Sequence, residues 1–344
     1  MAKQAVLLLA HGTPETVEQI PEYLRNVVSG RPLPQAVVEE IQHRYSLIGR
    51  SPLTEITFEQ ARLVEAELAR TGEAVPVYVG MRNWRPYIPE VVRQMCADGI
   101  EEAAVICMAP QNSRTSVGLY RRAVEAEAGG LRIDFTEGWA GHPLLADAFA
   151  ERLRPALAKL GAETGEAVPV LFTAHSVPAR TVEQPASQQV SESASQQIGN
   201  RPHPGGKGRN SVREGHPVWP GQGADSYAEE ARHTAALVAE RVPEIPRWWF
   251  AFQSQGASGG PWLGPSVEET LQQIAGEGVR AIILQPIGFL CDHVEILFDV
   301  DHLFREYADK LKIRLERPES LNASGTLAKA VADLAGQGLR RLKG

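Results

Sequence analysis

The sequence predicts an α/β protein built from two similar lobes in tandem, each a parallel sheet covered by helices. Two observations carry this. Strands that are apolar throughout, such as Ala103 to Met108, alternate with helical stretches. A strand without polar alternation is one buried on both faces, as in a parallel sheet. The second half also repeats markers of the first. One strand ends in Ala10-His11-Gly12-Thr13-Pro14 and another in Ala174-His175-Ser176-Val177-Pro178. Helix, glycine, strand and proline follow in order from Asp98-Gly99 to Pro110, and again from Gly278 to Pro286. Tandem lobes of this kind set the ends of matching strands opposite each other, where ligands bind.

The elements follow along the chain. Residues 5 to 10 form a short strand, with helical pattern after Pro14 and a Pro/Gly-rich turn at Ser29 to Pro34. Helices are expected at about 35 to 47 and from Thr54 to Thr71, with a loop at Ile48 to Leu53 between them. A strand at Val75 to Val79, a helix at Pro89 to Ala97, the strand at Ala103 and a helix from Arg114 to Ala126 follow. In the second half, Leu171 to His175, Arg247 to Phe252 and Ala281 to Leu284 read as strands, and helix resumes after Asp225-Ser226. Ala323 to Leu342 reads as a closing helix. The expected units are 1–150, 151–322 and the helix at 323–344. Within the second, 183–223 is rich in Ser, Gln, Gly and Pro and cannot bury a core, so a mobile surface insertion is expected. Its His203 and His216 read as loop histidines.

Composition excludes several functions. A chain of 344 residues with 43% hydrophobic and 22% charged residues has the make-up of a globular enzyme. A net charge of −7 and the absence of a basic stripe argue against a nucleic-acid partner. No apolar run approaches the roughly 18 residues of a transmembrane span. The N-terminal apolar stretch is interrupted by His11 and reads as a first strand, not a signal peptide. Cys96, Cys107 and Cys291 are scattered, which points to a cytoplasmic location and no disulfide framework. An iron–sulfur cluster needs about four ligands, usually thiolates, so none is expected.

The stretch Gln285 to His302 carries the densest chemistry. Pro286 and Gly288 end its strand, and helix is expected from about Asp292. Asp292, Glu295, Asp299 and Asp301 fall within it, with His293 and His302. On an α-helix, Glu295, Asp299 and His302 share one face. Like charges so spaced repel unless water, a cation or a proton separates them. His175 ends an apolar strand, where α/β enzymes place catalytic groups. Imidazole with carboxylate suits Fe(II) or a similar divalent ion, or proton transfer near neutral pH. We therefore expect His175 and Glu295 to face each other across one cleft. Carboxylates at a buried helix start would have raised pKa values, suited to proton relay. Trp262, in the stiff run Pro261-Trp262-Leu263-Gly264-Pro265, is either core packing or a wall against a flat ligand. Arg44, Arg50, Arg114 and Tyr120 are candidates for carboxylate binding, against the alternative of ordinary surface residues.

These motifs together resemble the ferrochelatases. AHSVP around His175, PWLGP at 261–265 and PIGFLCDHVEILFD at 286–299 carry the resemblance. Ala10 to Pro14, Arg44-Tyr45 with Ser51-Pro52-Leu53, and Ala109-Pro110 with Ser113, Ser116 and Tyr120 extend it over nearly the whole chain apart from the insertion. Agreement of several motifs in order is far more specific than one short pattern. The resemblance implies two Rossmann-like lobes, each a four-stranded parallel sheet, around a porphyrin cleft. It implies a lyase of haem biosynthesis, without a prosthetic group of its own, that inserts Fe(II) into protoporphyrin IX or coproporphyrin III. Fe(II) is then a substrate, and the haem or coprohaem product passes to a downstream haem enzyme. The resemblance places metal and catalytic roles on His175 and Glu295 and a relay on Asp299. It places Arg44, Ser51 and Tyr120 near the porphyrin propionates, and the stiff PWLGP run with Trp262, together with Phe289, can hold a bent ring. Where the family's next acidic position falls, this chain has Leu303, leaving Asp301 or His302 as substitutes. His11 resembles the metal-binding histidine of the smaller cobalt chelatases, which suggests that it approaches the metal from the face opposite His175. Two rivals are a chelatase for another tetrapyrrole, sirohydrochlorin with cobalt or iron, and a non-catalytic haem carrier on the same fold.

Overall fold

The structure is a computed structural model that describes residues 2–113, 116–179, 226–254 and 261–344. It contains two four-stranded, all-parallel sheets of identical connectivity. The first has the order β2-β1-β3-β4, from β1 (Gln4–Ala10), β2 (Val77–Met81), β3 (Glu102–Cys107) and β4 (Arg132–Thr136). The second has the order β6-β5-β7-β8, from β5 (Val170–His175), β6 (Trp248–Gln253), β7 (Ala281–Pro286) and β8 (Arg314–Glu316). The repeat read from the motifs is thus a repeat of topology. His11 follows β1 and His175 ends β5, the matching strands of the two sheets.

Alternation within the strands explains their composition. Val6, Leu8 and Ala10 face a core between the two sheets, while Ala5, Leu7 and Leu9 face the opposite side. Phe172 and Leu171 divide in the same way in β5. Both faces are covered, so both alternating sets are apolar. The outer face of the first sheet packs on α4 (Ile88–Ala97) and α5 (Val117–Glu125). The outer face of the second packs on α8 (Val267–Gly276) and on a π-helix at Glu295–Phe304.

The central core is filled by α3 (Leu53–Arg70), α6 (Pro143–Thr164), α7 (Tyr227–Arg241) and α10 (Gly325–Lys343). Two features differ from the sequence reading. The boundary expected at residue 150 falls inside α6, a helix that packs with α7, β7 and α10 and so joins the lobes. The closing helix α10 packs on α3, β3 and β4, so the last helix of the chain completes the first lobe. The helix read before Gly278 is α8, whereas β4, α6 and β8 had no counterpart placed by residue in the sequence reading. A small cap of α1 (Ile20–Val27) and α2 (Gln35–Ile48) holds Tyr23, Tyr45 and Trp84 and meets Val294 of the second lobe. The expected insertion at 183–223, with His203 and His216, lies outside the described residues.

Candidate active site

At the carboxyl ends of both sheets lies a cavity of about 390 Å³. His11, Arg82, Gln111, His175, Phe289 and Glu295 are among its lining. These residues follow the ends of the inner strands of each sheet and of β2, where a parallel sheet opens a crevice for ligands. The volume is in the range of about 300–1,000 Å³ that small-ligand sites occupy.

His175 is the final residue of β5, and its carbonyl accepts a hydrogen bond from the Tyr227 hydroxyl at 2.9 Å. Its Nδ1 is bonded to the Ser176 carbonyl, which can only accept. The proton therefore sits on Nδ1, and Nε2 points to Glu295 Oε1 at 3.5 Å. The two side chains are 32% and 34% exposed. Burial opposes a charge on His175, but the facing Glu295 carboxylate, the Ser176 carbonyl and Asp299 together outweigh it and raise the imidazole pKa. Burial likewise pushes Glu295 up, and His175 pulls it down further, to about 2. The pairing favours the charged forms of both side chains.

Glu295 opens the π-helix, and its N–H donates to His293 Nδ1 at 3.1 Å. His293 therefore caps a helix start with a neutral ring, and burial lowers its pKa. Phe289 stands edge-on between the two histidines, 6.2 Å from His175 and 4.4 Å from His293. The close turn that places Phe289 depends on Gly288, where a Cβ would lie 3.1 Å from that of Ala174. On the opposite wall, His11 Nε2 is 2.9 Å from the Tyr23 hydroxyl, and Asn83 Nδ2 is within 3.2 Å of the ring nitrogens. Burial, helped by Arg82, drives its pKa down to about 4. His11 is neutral and is held by its own lobe.

Asp299 lies one turn behind Glu295 and is buried. It pairs with Arg44 of α2 at 3.2 Å and accepts from the Ser254 hydroxyl. Burial raises its pKa to about 6, with the Ser254 bond opposing and the Glu295 charge adding to the rise. Trp262 lines the cavity because PWLGP pairs with the chain after His175. Leu263 N donates to Val177 O at 3.0 Å, and Ala179 N to Pro261 O at 2.9 Å.

Several expectations are corrected. His302 does not share the face of Glu295 and Asp299, because the helix closes i→i+5 turns, and His302 is exposed. Asp301 is gripped at both oxygens by Arg317 and does not extend the acidic series. Arg44 and Ser51 are not among the cavity-lining residues, whereas Tyr120, Trp262 and Phe289 are. Arg44 is committed to Glu40 and Asp299, and Ser51 is buried with its hydroxyl unpartnered. Arg50 pairs with Glu55 at the surface, and Arg114 lies outside the described residues. The sequence reading missed Arg82, Tyr23 and Gln111, and gave His293 no role. Arg82 directly follows β2, so a strand end placed two residues later would have found it.

The ferrochelatase family model matches residues 3–339. The chain belongs to the ferrochelatase family. This family member is 54% identical to a ferrochelatase of Acidobacterium capsulatum, across 99% of this chain and 96% of that one. It is 33% identical to a coproporphyrin III ferrochelatase of Mycolicibacterium vanbaalenii, across 97% and 89%. Among solved structures, SirB from Bacillus subtilis with Fe3+ aligns with a TM-score of 0.53 at 12% identity, covering 99% of this chain and 97% of that one. That likeness extends the shared chelatase fold of this family beyond recognisable sequence similarity.

Proposed function

We infer that this ferrochelatase-family chain inserts Fe(II) into a free-base porphyrin, as a step of haem biosynthesis, in the cleft between its lobes. The observation that carries this is the His175–Glu295 contact of 3.5 Å on the wall of a cavity shared by both lobes. Insertion releases two pyrrole protons for each ferrous ion taken up. A planar ring offers an incoming ion no accessible lone pair, so the ring must bend, and binding energy elsewhere on the ligand supplies that distortion. Trp262 and Phe289 supply rigid surface for it.

His175 and Glu295 are the metal-facing pair. An approaching dication is attracted by Glu295 and disfavours a proton on His175 Nε2; any proton held there leaves to water, and Nε2 then serves as a ligand or as acceptor for a pyrrole proton. Asp299, with its pKa near 6, holds a proton transiently at neutral pH and passes it outward. Among the described cavity-lining residues, Arg82 is the only arginine or lysine. Its guanidinium lies over the Tyr120 ring, 5.8 Å from the centroid, and we assign it to a porphyrin carboxylate, the role expected from the sequence for Arg44. His11, neutral and bonded to Tyr23, supports the ring face opposite His175.

The test is anaerobic incubation with Fe(II) and, separately, protoporphyrin IX, coproporphyrin III and sirohydrochlorin, followed by visible spectrum. Metallation of a porphyrin and not of sirohydrochlorin is expected. Tight haem binding without metallation of any free base would instead identify a carrier. In the same assay His175→Ala reduces turnover at least ~100-fold with an unchanged circular dichroism spectrum. Normal turnover by that variant refutes its role.

A further inference from the structure

The π-helix is wound more widely than an α-helix, and runs of this kind are rare. Something must hold ten residues in that winding. One guanidinium touches both ends of the segment that carries the site. Arg317, after β8, is only 10% exposed. It grips Asp301 with two bonds, Nε–Oδ1 at 2.8 Å and Nη2–Oδ2 at 2.7 Å. Its remaining Nη1 donates to Asp292 Oδ1 at 3.1 Å. Asp292 is fixed from the other side as well. Ser320 donates to its Oδ1 at 2.7 Å, Asn322 Nδ2 to its Oδ2 at 2.9 Å, and its own N–H donates to Asn322 Oδ1 at 2.9 Å. Asn322 takes a positive φ of 46°, which asparagine tolerates, and its carbonyl accepts from Gln60 of α3 in the first lobe.

We propose that Arg317 is a positioning residue that clamps the segment from Asp292, before the π-helix, to Asp301 within it, and so sets where Glu295 stands relative to His175. His293, Glu295 and Asp299 all lie between the two bracketed carboxylates, while Arg317 is not among the residues that line the cavity. The wide turns let Glu295 and Asp299 point one way while Asp301 points back to Arg317. Without the bracket the segment relaxes toward α winding, which rotates Glu295 away from His175 and leaves the porphyrin walls in place. The fork is required, since two bonds to one carboxylate and a third to another need the planar, five-donor guanidinium.

This inference rests on the metal-insertion reading of the site, and wild-type metallation is the control that separates the two. If wild type fails to metallate, the functional reading falls; if wild type is active and the variants match it, only the bracket falls. The experiment measures Arg317→Ala, Arg317→Lys and Asp301→Asn for kcat, for porphyrin KM, and for Co(II) binding to the porphyrin-free protein. The expected result is a kcat loss of roughly 10–100-fold, the scale of an ångström-size misplacement, with porphyrin KM within about twofold and weakened Co(II) binding. Lysine does not rescue, and the Arg317→Ala/Asp301→Asn pair is no worse than Arg317→Ala alone. If Arg317→Ala does not fold, Asp301→Asn, which keeps the Asp292 contacts, carries the test. Wild-type kcat in the folded variants overturns the proposal. So does a joint loss of kcat and porphyrin affinity in step with the folded fraction.

Discussion

At the scale of single residues, the site works by holding neighbouring groups in different protonation states. Glu295 is the partner that raises His175, so Glu295→Gln should lower the His175 pKa from above its ordinary value toward or below it. An NMR titration of the His175 ring checks this; an unshifted midpoint would mean the two side chains do not interact in solution. Asp299 titrates in the opposite sense from a salt-bridged carboxylate. Its folded pKa, about 6, lies above the unfolded value of 3.8. The folded state therefore binds the proton more strongly, and the associated stability is present below the unfolded pKa and lost as pH rises through about 6. The difference of two units corresponds to about 3 kcal/mol for this buried group. Asparagine mimics the protonated form, so Asp299→Asn should gain in stability over wild type more at pH 7.5 than at pH 5. Denaturant titrations at both pH values test it, and a pH-independent difference would show that Asp299 is not strained by its ionisation.

Among the elements, the strand-to-helix turn after β7 decides the geometry. Gly288 lies against Ala174 and the His175 backbone, so its missing Cβ allows β7 to leave the sheet beside β5. Gly288→Ala forces a contact of 3.1 Å between methyl carbons and another of 3.2 Å to the Ala174 Cα. Backbone on one side cannot yield like the end of a flexible side chain. We expect a loss of ~1–3 kcal/mol together with a fall in turnover, because Phe289 and the start of the π-helix shift with the turn. Chemical denaturation with parallel assays checks this, and a fully active, wild-type-stable variant would contradict the packing described. Gly12 is tighter still, with a φ of +77° and only 2.8 Å between the place a Cβ would occupy and the Cβ of Met81. It makes a like demand after β1, the first-lobe counterpart of β5.

Over the whole molecule, the two lobes are not separable. The helix α10 buries Leu327, Val331, Leu339 and Leu342, and it packs on the first sheet although it follows the second in sequence. Removing residues 324–344 should therefore expose the inner face of the first lobe and abolish cooperative folding, not merely trim a terminus. A single sharp unfolding transition in the truncated chain would show otherwise. Contacts such as Gln60 to Asn322 and Asn112 N–H to Glu230, the latter at 2.7 Å, join the lobes. Among the described residues no helix is long and apolar enough to cross a membrane.

The two parallel sheets, their duplication and the meeting of His175 with Glu295 were legible in the amino-acid order alone. Those features rest on local signals: uninterrupted apolar strands, a histidine at each matching strand end, and acidic residues at a helix start. The motifs likewise carried the family. Which charged residues face the cavity was settled by long-range packing. Asp299, Asp301 and His302 lie within four positions, yet one backs Glu295, one binds Arg317 and one faces water. Their directions depend on π winding, and that winding is fixed by partners distant in the chain, which local periodicity cannot register. Arg44 and Arg82 divide for the same reason. Each is a plausible carboxylate binder in sequence, but a buried carboxylate 255 positions away holds the first, while the second stands at the cleft.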